Sequence, residues 1–262
     1  MADNNLNLQL GKGKLYFAEF AAGTQTPKGE RFIGNCSEVT INADVQTLEH
    51  RSSTEGRNKK DFEAVTGVDR AGTIVTDNLG LENVGVFALG YVERVSVAAA
   101  TGESETFTGV EQGLSYQLGV SDSAPEGVRK VASVVVTDDA ATPNTFVAGT
   151  DYILDADRGR FTVAAGGDIA DDTNLKVTYN ITAHSIDRVV AGATKKEGAL
   201  RWVAANPDGP VTDYFFPWAK LGPNGDLSLV SAEEFVNLPL AIEVLEKGDL
   251  PPWIATGQPV TA

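Results

Sequence analysis

Residues 38–46 read Glu-Val-Thr-Ile-Asn-Ala-Asp-Val-Gln, a strict alternation of polar and apolar side chains. Successive side chains of an extended strand leave to opposite faces, so a run this regular predicts a half-buried β-strand. Val39, Ile41, Ala43 and Val45 take its buried side, and Glu38, Thr40, Asn42, Asp44 and Gln46 its wet side. The stretch from Phe62 to Thr76 reads as the return strand, with Phe62, Ala64, Val68 and Ile74 sharing a parity. Gly67 and Gly72 interrupt it and mark candidate bulges or bends. The connection, residues 49–61, is too long and too charged for a tight turn, and it gathers Arg51, Arg57, Lys59 and Lys60. Loops of that kind are either functional or solvated hairpin tips.

The rest of the chain fits a mainly β protein. Twenty-seven glycines and short apolar runs between turn signals point that way. Expected strands cover 15–20, 91–97, 106–110, 131–137, 151–155, 160–163, 175–182, 197–203, 213–221 and 227–230, with a last one inside 235–247. Pro217 favours an edge or a bulge in its strand, because proline has no N–H to give a ladder. One helix is expected over about 80–90, capped by Asp77 or Asn78 and stopped at Gly90. Leu81, Val84, Phe87 and Ala88 would form its apolar face. From Gln112 to about Ser185 short strands separated by turn clusters predict a separate small β-sandwich, carrying ten acids and five bases. The expected organisation is therefore 1–111, an insertion over 112–185, and 186–262 with a Pro-rich tail.

Charge and chemistry narrow the function. Thirty-six acidic against 21 basic residues give a net charge of −15, a surface that repels nucleic-acid phosphates rather than gripping them. One cysteine and two histidines leave little for nucleophilic, acid–base or zinc chemistry, so no enzyme, metal site or cofactor is expected. Gly11-Lys-Gly-Lys14 does not fit a phosphate-cradling loop. Asp155, Asp157, Asp168, Asp171 and Asp172 sit in acidic turns that do not reproduce a calcium loop. Trp202, Phe215, Phe216 and Trp218 make a candidate carbohydrate platform, with burial the stronger expectation. The start of the sequence lacks the pattern of a secretory signal, and no apolar run is long enough for a membrane span.

Several stretches together resemble the major tail tube protein of long-tailed, siphovirus-type phages. They are Gly34-Asn-Cys-Ser-Glu38, Glu49-His-Arg-Ser-Ser53 with Gly56 and Lys60-Asp61, Leu81 to Gly90, and the run 212–247. Gly149 to Asp155 followed by Gly159 to Val163 is similar to immunoglobulin-like modules inserted in phage tail proteins. The resemblance implies a β-sandwich or partial barrel that assembles into hexameric rings stacked as a conduit for DNA ejection. It implies a virion location after assembly in the host cytoplasm. Tape-measure, terminator and distal tail proteins become partners, and DNA passes without specific binding. It also implies Arg51, Arg57, Lys59 and Lys60 as inter-ring contacts, and Glu38, Thr40, Asn42, Asp44 and Gln46 as lumen-facing. The competing expectations are a related tube of a contractile or secretion-type system, or a glycan-binding module using 112–185.

Overall fold

The computed structural model describes residues 9–257 except 55 and 57. The fold is mainly β with one short helix, as the alternation predicts, and among the described residues no sheet closes into a barrel. In chain order the elements begin with β1 (Gly13–Glu19), β2 (Arg31–Gly34), β3 (Cys36–Ser52), β4 (Lys59–Thr76), α1 (Leu81–Phe87) and β5 (Tyr91–Val97). There follow β6 (Ala100–Val110), β7 (Ser115–Gln117), β8 (Val131–Asp138), β9 (Tyr152–Asp155), β10 (Arg160–Val163) and β11 (Thr173–Ile181). The chain finishes with β12 (His184–Val190), β13 (Lys196–Ala204), β14 (Thr212–Pro223), β15 (Leu238–Val244) and β16 (Ile254–Gly257).

Two compact units share these elements, one built from Met1–Glu93 and Arg188–Ala262, the other from Arg94–Asp187. The second unit begins well before the composition break at 112, and the reason is non-local pairing. β6 lies before that break but hydrogen-bonds along β11, from Thr173↔Val110 to Ile181↔Ala100. Gln112 itself sits inside the unit, its carboxamide donating to the Ile169 carbonyl at 2.8 Å and accepting from Gly166 N–H at 3.0 Å.

In the first unit one sheet runs in the order β2-β1-β13-β14-β15-β4-β3, with β16 also on β14. Its core holds Leu15, Phe17, Ile33, Ile74, Leu200, Leu221, Leu238, Leu240 and Ile242, all within 1 % of full burial. Each such side chain contributes about 1.5–3 kcal/mol by leaving water. β15 alternates strictly, Leu238, Leu240, Ile242 and Val244 facing in, although the wider window 235–247 obscures that period. Pro217 marks a bulge: Gly198 pairs with Ala219 but Leu200 with Phe216. β14 also changes partner there, from β16 at 212–215 to β15 at 219–223. The run 227–230 is not a strand, and Leu229 and Val230 are each 85 % exposed. β16 arises instead in the Pro-rich tail, where no strand was expected.

α1 is shorter than expected and turned differently. Its buried residues are Asn83, Gly85 and Val86, while Leu81 is 42 % exposed. Gly80 occupies the N-cap, and Asn78, two residues earlier, accepts the Gly80 N–H at 3.0 Å. Asn83 overrides the apolar stripe by donating to the carbonyls of Ile33 and Asn78 at 2.7 and 2.9 Å and accepting from Arg31 at 2.6 Å. Beyond the helix, Gly90 is needed for close approach: a Cβ there would lie 1.8 Å from the Val190 carbonyl oxygen.

The second unit packs the sheet β6-β11-β8 against β7-β10-β9. Val110, Val136, Leu175 and Val177 from one sheet meet Tyr152, Phe161 and Val163 from the other. Phe107, Tyr116 and Tyr152 surround the Phe161 ring at centroid distances of 5.2–6.4 Å. Asp151 is 3 % exposed and accepts N–H bonds from Val147 and Asp168, and the Asp168 bond leads in holding its carboxyl below the usual range.

Candidate functional site

The long hairpin of β3 and β4 is the feature that a self-contained fold does not explain. β3 has 17 residues and β4 has 18, but β15 covers β4 only from Thr76 to Arg70. Among the described residues, beyond Arg70 the two strands pair only with each other. The side of β3 expected to be buried is largely in solvent even opposite the stretch that β15 pairs: Val39 is half-buried, Ile41 is 38 % exposed and, beyond that stretch, Val45 is 49 % exposed.

The register decides which residues share a face. Val39 pairs with Ile74, Ile41 with Gly72, Ala43 with Arg70 and Val45 with Val68. The pairing then shifts between Gln46 and Thr47, where Thr66 bulges out beside Gly67. After the bulge Thr47 pairs with Val65, Leu48 with Ala64 and His50 with Phe62. Pleat alternation therefore puts Val65 with Ile41 and Val45, while Leu48, Ala64 and Phe62 move to the opposite face. Phe62 and Ala64 thus do not share a face with Val68 and Ile74, despite their sequence parity. Gly67 flanks the bulge. Gly72 lies in regular register, and its lack of a side chain serves contact, since a Cβ would sit 2.0 Å from the Thr40 carbonyl oxygen.

Glu38, Thr40, Asn42, Asp44 and Gln46 are all exposed and lie on one polar face. Asp44 stands directly across from Asp69, a like-charge pair, and Gln46 relieves it by donating to Asp69 at 2.7 Å. At the tip the strands run on through Ser52 and restart at Lys59, so the connection is shorter than 49–61. Its bases are largely engaged within the hairpin. Arg51 donates to Glu49 at 2.9 Å, and Lys60 reaches Glu49 at 2.9 Å and Glu63 at 2.5 Å. Lys60 is the leading cause holding the Glu49 and Glu63 carboxyls below their usual range, and they raise its own pKa in turn. Lys59 is exposed on β4, and Arg57 lies outside the described residues.

The remaining candidates are scattered. His50 pairs with Asp61 at 2.6 Å at the hairpin tip, whereas His184 belongs to β12. Cys36 is half-buried and its thiol is pushed up to about 11, first by burial. In the acidic turns Asp155 accepts from Arg158 and Asp157 from Lys130, and the Gln112 N–H reaches Asp171. Among the described residues no group of three His, Cys, Asp or Glu is placed to hold a metal ion. The four aromatics of the candidate platform divide between clusters, Trp202 and Phe216 with the main core, Phe215 and Trp218 with Ala18, Phe20 and Ala199. They form no single platform. Sequence reading missed the exposed apolar residues Leu48, Val65, Leu229, Val230 and Phe235 as a set. Alternation locates Leu48 and Val65 in strands, but their exposure, 67 and 63 %, follows only from the three-dimensional packing.

Fold and hairpin together define a mainly β protein of two units whose longest strands extend beyond their own sheet. The chain belongs to the family described as Protein of unknown function UCP028589, which matches residues 8–250. No curated protein matches it.

Proposed function

We propose that this chain is a non-enzymatic, self-assembling tube protein, the major tail tube protein of a long-tailed phage. One observation carries the reading: a hairpin of two long strands projects past its sheet with uncovered apolar residues on both faces. Such a surface is costly in a monomer and becomes useful when neighbouring copies supply the missing partners. The sequence resemblance adds hexameric rings, stacked into a conduit. In that arrangement the polar face with Glu38, Asp44 and Asp69 suits a DNA channel, because carboxylates repel phosphates. The tip carrying Arg51 and Lys60 suits the contact between rings. The second unit, with its own core, serves as an inserted immunoglobulin-like module. Negative-stain microscopy with sedimentation velocity over a concentration series tests the proposal. Rings or tubes are expected, and a monodisperse monomer at every concentration would overturn it.

A further inference from the structure

A second surface, away from the hairpin tip, carries information of its own. An open groove of about 650 Å³ in the first unit has Val39, Ile41, Trp202, Tyr214 and Phe216 among its walls. Arg70 also lines it, half-buried, on the same face as Ile41 and Ala43. Among the described residues its guanidinium forms no ion pair and makes one long hydrogen bond, 3.5 Å to the Val68 carbonyl of its own strand. Glu38, the acid in the wall, is paired opposite Val75, five residues along β4 from Arg70, roughly 17 Å at the rise of a strand. An apolar trough with an unpaired half-buried cation calls for an occupant that is apolar and anionic together.

The same chain displays such an occupant. Between β14 and β15 the loop 226–237 is tethered by Leu227, which packs against the core, and by half-buried Val236. Between these tethers Leu229, Val230 and Phe235 are 85, 85 and 92 % exposed. Asp226, Glu233 and Glu234 accompany them, with no base in the loop. The shape is locally held: Ser228 Oγ donates to the Val230 carbonyl at 2.7 Å, and Ser231 Oγ accepts the Glu234 N–H at 3.2 Å. Three large apolar side chains held in solvent beside carboxylates are a plug without a socket.

We infer that the groove is the socket for the 226–237 loop of a second copy of this chain, Phe235 filling the trough and Glu233 or Glu234 pairing with Arg70. Plug and socket are different patches of one chain, so the contact is heterologous and propagates from copy to copy. The inference deepens the assembly reading above and rests on it for the expectation of self-association. It adds a contact at the base of the hairpin, where Val39, Ile41 and Arg70 meet the sheet, apart from any made by the tip.

Charge reversal with complementation tests it by sedimentation velocity, with thermal melts confirming that every variant is folded. Arg70→Glu spoils the socket, and Glu233→Lys with Glu234→Lys spoils the plug. Each is expected to raise the concentration for half-assembly by roughly tenfold or more, the cost of facing like charges across an interface. Mixing the two variants, or combining all three changes in one chain, restores opposite charges at every contact and is expected to restore assembly. Phe235→Cys gives an independent reading, because Cys36 lines the groove and is the only native cysteine. A short bismaleimide is expected to join position 235 of one copy to Cys36 of the next in a ladder of oligomers. If the wild type forms tubes and the reversed variants form them equally well, the inference falls and the tube reading stands. Loss and rescue of open head-to-tail chains, without rings or tubes, would uphold the inference and overturn the tube reading. A wild type that never associates and shows no 235–36 linkage overturns both.

Discussion

Asn83 does more to place α1 than any apolar side chain of that helix. It is 1 % exposed, and it engages a guanidinium and two backbone carbonyls from separate segments. Removing it leaves Arg31 half-buried without its acceptor, and burial already lowers the pKa of that guanidinium against the pull of Glu82 and Glu19. Asn83→Ala is therefore expected to cost about 1–3 kcal/mol, the penalty for orphaning buried polar groups. Urea denaturation of wild type and variant measures it, and Leu81→Ala, at an exposed position, should change stability by no more than about 0.5 kcal/mol. The helical spacing of Leu81, Val84, Phe87 and Ala88 was legible, but the face that docks was not. Which side of a short helix turns inward depended on a polar anchor to β2, fifty residues away in sequence. Gly90 was legible as a stop only, since its closeness to Val190 follows from a return of the chain that no local pattern encodes.

At the level of elements, alternation revealed β3 and β4 but left their partners hidden. Strand period is local, whereas burial depends on what packs over the face, and Ile41 stays exposed although β15 pairs with Gly72 opposite it. The bulge at Thr66 then exchanges the two faces, which a reading by parity cannot anticipate. Because Ile41, Val45 and Val65 are exposed in the single chain, changing all three to Thr should leave monomer stability within about 0.5 kcal/mol per site. On the assembly reading the same variant should lose most of its sedimenting species. Unchanged sedimentation would detach the hairpin's apolar face from assembly. The tip carries a separate expectation. Glu49 and Glu63 have lowered pKa values in the fold, so their stabilising contribution is complete above the ordinary carboxylate range. It is lost as pH falls through those lowered values. Carboxyl carbon shifts followed by NMR should show both midpoints below those of unpaired glutamates, and Lys60→Met should return them towards the ordinary range. Midpoints that ignore Lys60 would show that the tip pairs are not held in solution.

On the scale of the whole molecule, the insertion was legible as a change of texture but not at its true edges. β6 reads as a strand from sequence, yet its allegiance is decided by β11, more than sixty residues later. Removing residues 113–184 would leave β6 with an unpaired edge and strip Val110 of its core partners Leu175 and Val177. Residues 94–187 are the better cut. Each unit has a hydrophobic cluster of its own among the described residues. The ends left behind already meet, for Arg188 donates to Glu93 at 2.6 Å and Gly90 lies against Val190. A short Gly/Ser linker can therefore join Glu93 to Arg188 without spanning a gap. The excised chain is expected to melt as one cooperative unit, and Arg94–Asp187 expressed alone as another. If the inserted unit is an accessory to assembly, the excised chain should also give the same sedimenting species as the full chain. A chain that melts cooperatively but never assembles would make the second unit part of the assembly machinery. A chain cut at 113–184 should melt at lower temperature than the chain cut at 94–187, because only the former leaves β6 behind without its sheet.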